Sequence, residues 1–79
     1  MIISGVLVHA QPEKRVIVEN RLAEMPNVEV VNATPQGQLV VVIEEDDKST
    51  GALLKDIHFL ENVLSASLVY QESLPDVAL

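Results

Sequence analysis

The stretch Gln38-Leu39-Val40-Val41-Val42-Ile43-Glu44-Glu45 decides how this chain folds. An unbroken apolar run, mostly β-branched, begins after Gly37-Gln38 and stops at a run of acids, which is the signature of a β-strand. A strand with one wet face alternates apolar and polar side chains, whereas Leu39 to Ile43 project apolar groups to both faces. The strand is therefore central. Each of its faces needs a cover, or one of them is a binding surface.

Moving upstream, Thr34-Pro35-Gln36-Gly37 supplies turn chemistry, and Val28 to Ala33 reads as the short strand that this turn folds back onto the central one. Pro26-Asn27 ends a helix expected over Pro12 to Met25. Val18, Leu22 and Met25 share its apolar face, and Ile17 is expected to widen that stripe. Pro12 suits the first helical position and Glu13 the positive helix end, so the helix starts directly after a first strand, Ile2 to Ala10.

Downstream, Asp47 or Ser49 can cap a second helix whose stripe is Leu53, Leu54, Ile57 and Leu60, ending near Asn62, with Gly51 weakening its first turn. Val63 to Tyr70 then reads as a fourth strand. Ser65 and Ser67 alternate with Leu64, Ala66 and Leu68, so one side of it is wet. From Gln71 onward no period is sustained, and residues 71–79 are expected to form a mobile tail after a single domain over 1–70.

The order strand, helix, strand, strand, helix, strand implies an α+β, ferredoxin-like βαββαβ sandwich. Right-handed crossovers place both helices on one face of a four-stranded antiparallel sheet. Parity then assigns Ser4, Val6, Val8, Val30, Leu39, Val41, Ile43, Leu64, Ala66 and Leu68 to the helix side. The bare face carries Ile3, Gly5, Leu7, His9, Val31, Val40, Val42, Ser65, Ser67 and Val69, with Glu44 and Glu45 as the nearest acids. Burying one Val or Leu is worth roughly 1.5–3 kcal/mol, so apolar groups clustered on an open face hold energy that a partner can use.

Composition narrows the partner. With 79 residues there is no room for a second domain or a deep catalytic cleft. Twelve acids against five bases give a net charge of -7, which disfavours nucleic acid and anionic membranes. Such a charge suits a cationic partner, or serves solubility alone. Cysteine is absent, which removes disulfides, thiol chemistry and thiolate metal sites. Trp is absent too, and Phe59 and Tyr70 are the only aromatics, so no base-stacking sheet is available. The opening Met1 to Val8 lacks a basic segment and reaches His9 before it could span a bilayer, so it reads as a strand of a cytoplasmic protein, without stable membrane insertion.

Candidate chemistry is sparse. His9 stands at the end of the first strand, where it is either a general base or a surface histidine, and no nucleophile or second His lies near it in sequence. His58 lacks a second ligand at i+4. Glu44-Glu45-Asp46-Asp47 lacks the alternating ligands and central Gly of a calcium loop. No catalytic residue, metal site or cofactor is expected.

Three segments, Ile3 to Glu13, Gly37 to Glu44 and Val63 to Tyr70, resemble in order and spacing the NapD family of cytoplasmic chaperones for the catalytic subunit of periplasmic nitrate reductase. The chain departs from the family's commoner residues at Gly5, Gln11 and Asn62, where Ser, Arg or Lys, and Gly are more usual. The resemblance implies a binding module without catalysis, monomeric or at most weakly self-associating. It would hold the twin-arginine signal peptide of the reductase precursor on the bare face until the molybdenum cofactor is inserted. A ligand-sensing regulatory domain that dimerises through its sheet is the alternative reading.

Overall fold

The structure is a computed structural model that describes residues 1–45 and 50–75. Its strands are β1 (Ile2–Ala10), β2 (Val28–Ala33), β3 (Gln38–Glu45) and β4 (Val63–Ser73). They form a single antiparallel sheet in the order β2-β3-β1-β4, so the apolar run of β3 is an interior strand as its pattern requires. The helices are α1 (Arg15–Glu24), entered through a 3-10 turn at Pro12–Lys14, and α2 (Thr50–His58). The candidate caps Asp47 and Ser49 lie outside the described residues, as does Asp46.

One core holds the layers together. Val6, Val8 and Ala10 of β1 and Leu39, Val41 and Ile43 of β3 are fully buried against Val18 and Leu22 of α1 and Ile57 of α2. All the strand members of this cluster share one parity, so both helices cover the same face of the sheet. Ser4 shares that side and is buried; its Oγ accepts a hydrogen bond from Gln71 Nε2 at 3.1 Å, which satisfies a hydroxyl that burial would otherwise leave costly.

Tight connections fix the registry. Gly37 adopts φ 93° in the β2–β3 turn, and its carbonyl accepts the Ala10 N–H at 2.8 Å; a Cβ here would strike the Ala10 carbonyl oxygen. Asn27 and Asn62 occupy left-handed conformations at φ 65° and 72°, the first after α1 and the second before β4. Asn tolerates this region better than most residues, so both turns are made without glycine.

Several expectations need correction. β4 does not stop at Tyr70: Gln71, Glu72 and Ser73 pair with Ser4, Ile3 and Ile2, and beyond them Leu74 N–H donates to the Met1 carbonyl at 2.8 Å. Polar side chains hid this extension, because an edge strand needs backbone pairing rather than apolar burial. α2 ends at His58, before Asn62. Ile17 stays 49% exposed, since α1 presents only the narrow Val18–Leu22 seam to the sheet. Leu64 is 60% exposed at a register shift where Ala10 pairs with Val63 and His9 with Ser65, and this shift sends Val63 toward the core in its place. Leu68 keeps the expected side opposite Val6 but is still 45% exposed on the outer strand.

Candidate functional site

The face opposite the helices is built in rows, because residues paired across an antiparallel ladder point the same way. At one end Ile3 of β1 lies between Glu44 of β3 and Glu72 of β4. The next row runs Glu29, Val42, Gly5, Tyr70, and the third Asn32, Val40, Leu7, Ser67. Gln38, His9 and Ser65 close the far end.

Two bulges enlarge the apolar centre. A register shift in β2 leaves Val31 unpaired between Val30 and Asn32, 58% exposed. Another in β4 leaves Val69 as the extra residue between Leu68 and Tyr70, 60% exposed. With Val40 39% exposed and Leu7 and Val42 half-buried, the middle of the face is a contiguous apolar surface that no element among the described residues covers.

Gly5 explains the one place where the face is filled. A Cβ at Gly5 would stand within 2.6 Å of the Tyr70 ring and 3.4 Å from Val69 Cγ2, so the ring lies directly over the β1 backbone and Gly5 is buried despite facing outward. The residue is glycine because an aromatic ring occupies the volume of its side chain.

The structure thus brings Ile3, Gly5, Leu7, His9, Val40, Val42, Glu44, Ser65 and Ser67 onto one face by pairing, with Val31 and Val69 added at bulges. Glu45 does not join them. It pairs with Ile2 on the helix-side parity, and its Oε1 accepts from Asn27 Nδ2 at 3.4 Å in the turn after α1. Conversely Tyr70, Asn32 and Glu72 belong to the face against simple alternation, and Glu29 belongs to it in keeping with alternation. Glycine inside β1 was the one signal available, since it marks a close approach without naming the group that makes it.

Among the described residues the face assembles no catalytic constellation. His9 is exposed beside Gln38 and Ser65, and neither neighbour forms a nucleophile–base–orienter arrangement with it. Among the described residues no group of three His, Cys, Asp or Glu could hold a metal ion. His58 meets Phe59 edge-on at 5.5 Å on the opposite layer. Shallow depressions beside Asn27, Glu29, Val42 and Glu44 add concavity at the acidic end without enclosing a small ligand. No helix among the described residues is long and apolar enough to cross a membrane.

Fold and face together define a small ferredoxin-like α+β domain with one helix-free sheet face. The chain belongs to the NapD family, whose model, described as NapD protein, matches residues 1–74. It is 33% identical over 72 residues to the chaperone NapD of Escherichia coli strain K12, covering 89% of this chain and 83% of that protein, and it matches chaperone NapD of Shigella flexneri to the same extent. The solution structure of the E. coli Tat proofreading chaperone protein NapD superimposes with a TM-score of 0.79 at 29% identity, over 96% of this chain and 82% of that one. These relatives carry the name of a chaperone.

Proposed function

We propose that this chain is a cytoplasmic chaperone that binds the twin-arginine signal peptide of the catalytic subunit of a periplasmic nitrate reductase on its helix-free sheet face. By sequestering the signal it delays export until the molybdenum cofactor has been inserted into the enzyme. The observation that carries this reading is the uncovered apolar centre of Leu7, Val31, Val40, Val42 and Val69, in a chain of a chaperone family. Export signals of this kind join a basic start to an apolar segment, and an apolar helix laid on an apolar platform buries both surfaces.

The platform fits one such helix. From Glu44 to Gln38 the face runs for roughly 20 Å along β3, and an α-helix with its side chains is about 10–12 Å wide. Isothermal titration calorimetry with a synthetic nitrate reductase signal peptide should give a saturable complex. Tyr70 is the only tyrosine in a chain without Trp, and it sits on the platform, so its fluorescence reports the same event. Absence of binding by both methods, even at low ionic strength, refutes the proposal. A stable homodimer in light scattering without peptide would favour a regulatory domain that pairs through this face instead.

A further inference from the structure

The face is polar along its length as well as open. Its acids, Glu44 and Glu72 beside Ile3 and Glu29 beside Val42, are all exposed and gather at the end where β1 begins and β3 and β4 finish. The middle is apolar, and the opposite end, Gln38, His9 and Ser65, carries no acid. Among the described residues the strands hold no Lys or Arg: Lys14, Arg15, Arg21 and Lys55 all belong to the 3-10 turn and the helices. Arg15 is itself held by Glu19 at 2.9 Å on α1.

On their own these acids would be a solvated rim. Their placement at one end of an apolar platform orders two chemistries in space, and a signal peptide carries the same two in order along its chain. Resting on the function proposed above, we infer that the peptide lies in one direction only, its arginine-bearing start at Glu44, Glu72 and Glu29 and its apolar segment over Val42, Val40 and Leu7, so that it runs with β1 and against β3 and β4.

Two physical effects favour this direction. Glu44 and Glu72 flank β1 and lie about 10 Å apart across the sheet, so a guanidinium between them is within about 5 Å of each, inside the ~8 Å screening length at physiological ionic strength. A helical peptide also has its positive dipole end at its N-terminus, which the same acids stabilise. Reversal would set the basic segment beside Gln38, His9 and Ser65 and slide apolar side chains onto carboxylates. Charge complementarity of this kind fixes orientation more than it raises affinity.

The test uses the whole 15N-labelled chain and the synthetic signal peptide carrying a nitroxide at one end or the other. A label beside the arginines should broaden the amides of Ile3, Glu44 and Glu72 most, and a label after the apolar segment those of His9, Gln38 and Ser65. The exchanged pattern overturns the direction while leaving the chaperone function intact. Binding that broadens neither set moves the peptide off this face and overturns the inference, and no binding removes the function on which it rests. Independently, Glu44→Gln and Glu72→Gln should each weaken binding by about twofold to fivefold, the range of exposed ion pairs, in a salt-dependent way. Gln38→Glu, which adds an acid at the far end, should leave binding unchanged or weaker; tighter binding would show the reversed direction.

Discussion

Val40, Val41 and Val42 are identical side chains at adjacent positions, and an Asp placed at each asks three different questions of the structure. Val41 is fully buried between Val6 and Val30 on the helix side, within a cluster that supplies no cationic partner. Asp there forfeits about 1.5–3 kcal/mol of apolar burial. It also buries an unpaired carboxylate at a cost of several kcal/mol, whether met by desolvation or by protonation at neutral pH. At about 0.05–0.15 kcal/mol per residue, a domain of this size has roughly 4–12 kcal/mol in total, so Val41→Asp should be largely unfolded at room temperature.

Val40 is 39% exposed, opposite Leu7 and Asn32. Its replacement by Asp sacrifices part of one burial and strand propensity, about 1–2 kcal/mol together, or a fall in Tm of roughly 5–15 °C. Val42→Asp should cost somewhat more, because Glu29 stands opposite it and Glu44 follows it on the same face. Urea and thermal melts followed by circular dichroism give the stabilities. Calorimetry on the folded variants should then show peptide affinity down by tenfold or more for Val40→Asp, which sets a carboxylate beneath the apolar segment. A Val41→Asp protein that melts within a few degrees of wild type, beside an unfolded Val40→Asp, would refute the assignment of faces and the site built on it.

Glycines provide the other tests, each with a different expected sign. Gly37→Ala combines a positive φ with a Cβ against the Ala10 carbonyl, so it should destabilise by more than about 1 kcal/mol and lower the urea midpoint. Gly51→Ala meets nothing within 4 Å inside α2 and should stabilise by about 0.5–1 kcal/mol, seen as a higher midpoint with peptide binding unchanged. Gly5→Ala must displace the Tyr70 ring, so it should alter tyrosine fluorescence and near-UV dichroism while the far-UV spectrum is retained; an unchanged tyrosine signal would mean that the ring does not rest on β1.

Much of the fold is determined by local chemistry in the chain. The bounds of β1, β2 and β3 follow from apolar runs cut by Pro12, Pro26-Asn27 and Thr34-Pro35-Gln36-Gly37, because proline and glycine restrict backbone geometry wherever they occur. The uninterrupted run at Leu39 to Ile43 demanded an interior strand, and period-two alternation then placed Ser4, Val6, Val8, Leu39, Val41 and Ile43 on the covered side. The helix seams Val18–Leu22 and Leu53, Leu54, Ile57 are legible for the same reason: their spacing is a property of the helix itself.

Tertiary structure decided everything that depends on what a residue is paired with. A bulge shifts parity by one residue, and whether it occurs is settled by the neighbouring strand. Hence Leu64 and Val63 exchanged roles, Tyr70 joined the open face, and Val31 and Val69 became its protruding residues. Glu44 and Glu45 are adjacent and chemically alike, yet only the ladder to β1 sets the first beside Ile3 on the open face and the second with Ile2 on the other. β4 could be followed only as far as its apolar residues last, while its final turns of pairing, Gln71 to Ser73, are held by backbone hydrogen bonds to β1 that side-chain pattern does not encode. The polarity of the open face arises the same way: Glu29, Glu44 and Glu72 are far apart in the chain, and they become one acidic end because antiparallel pairing brings the ends of β3 and β4 to the start of β1.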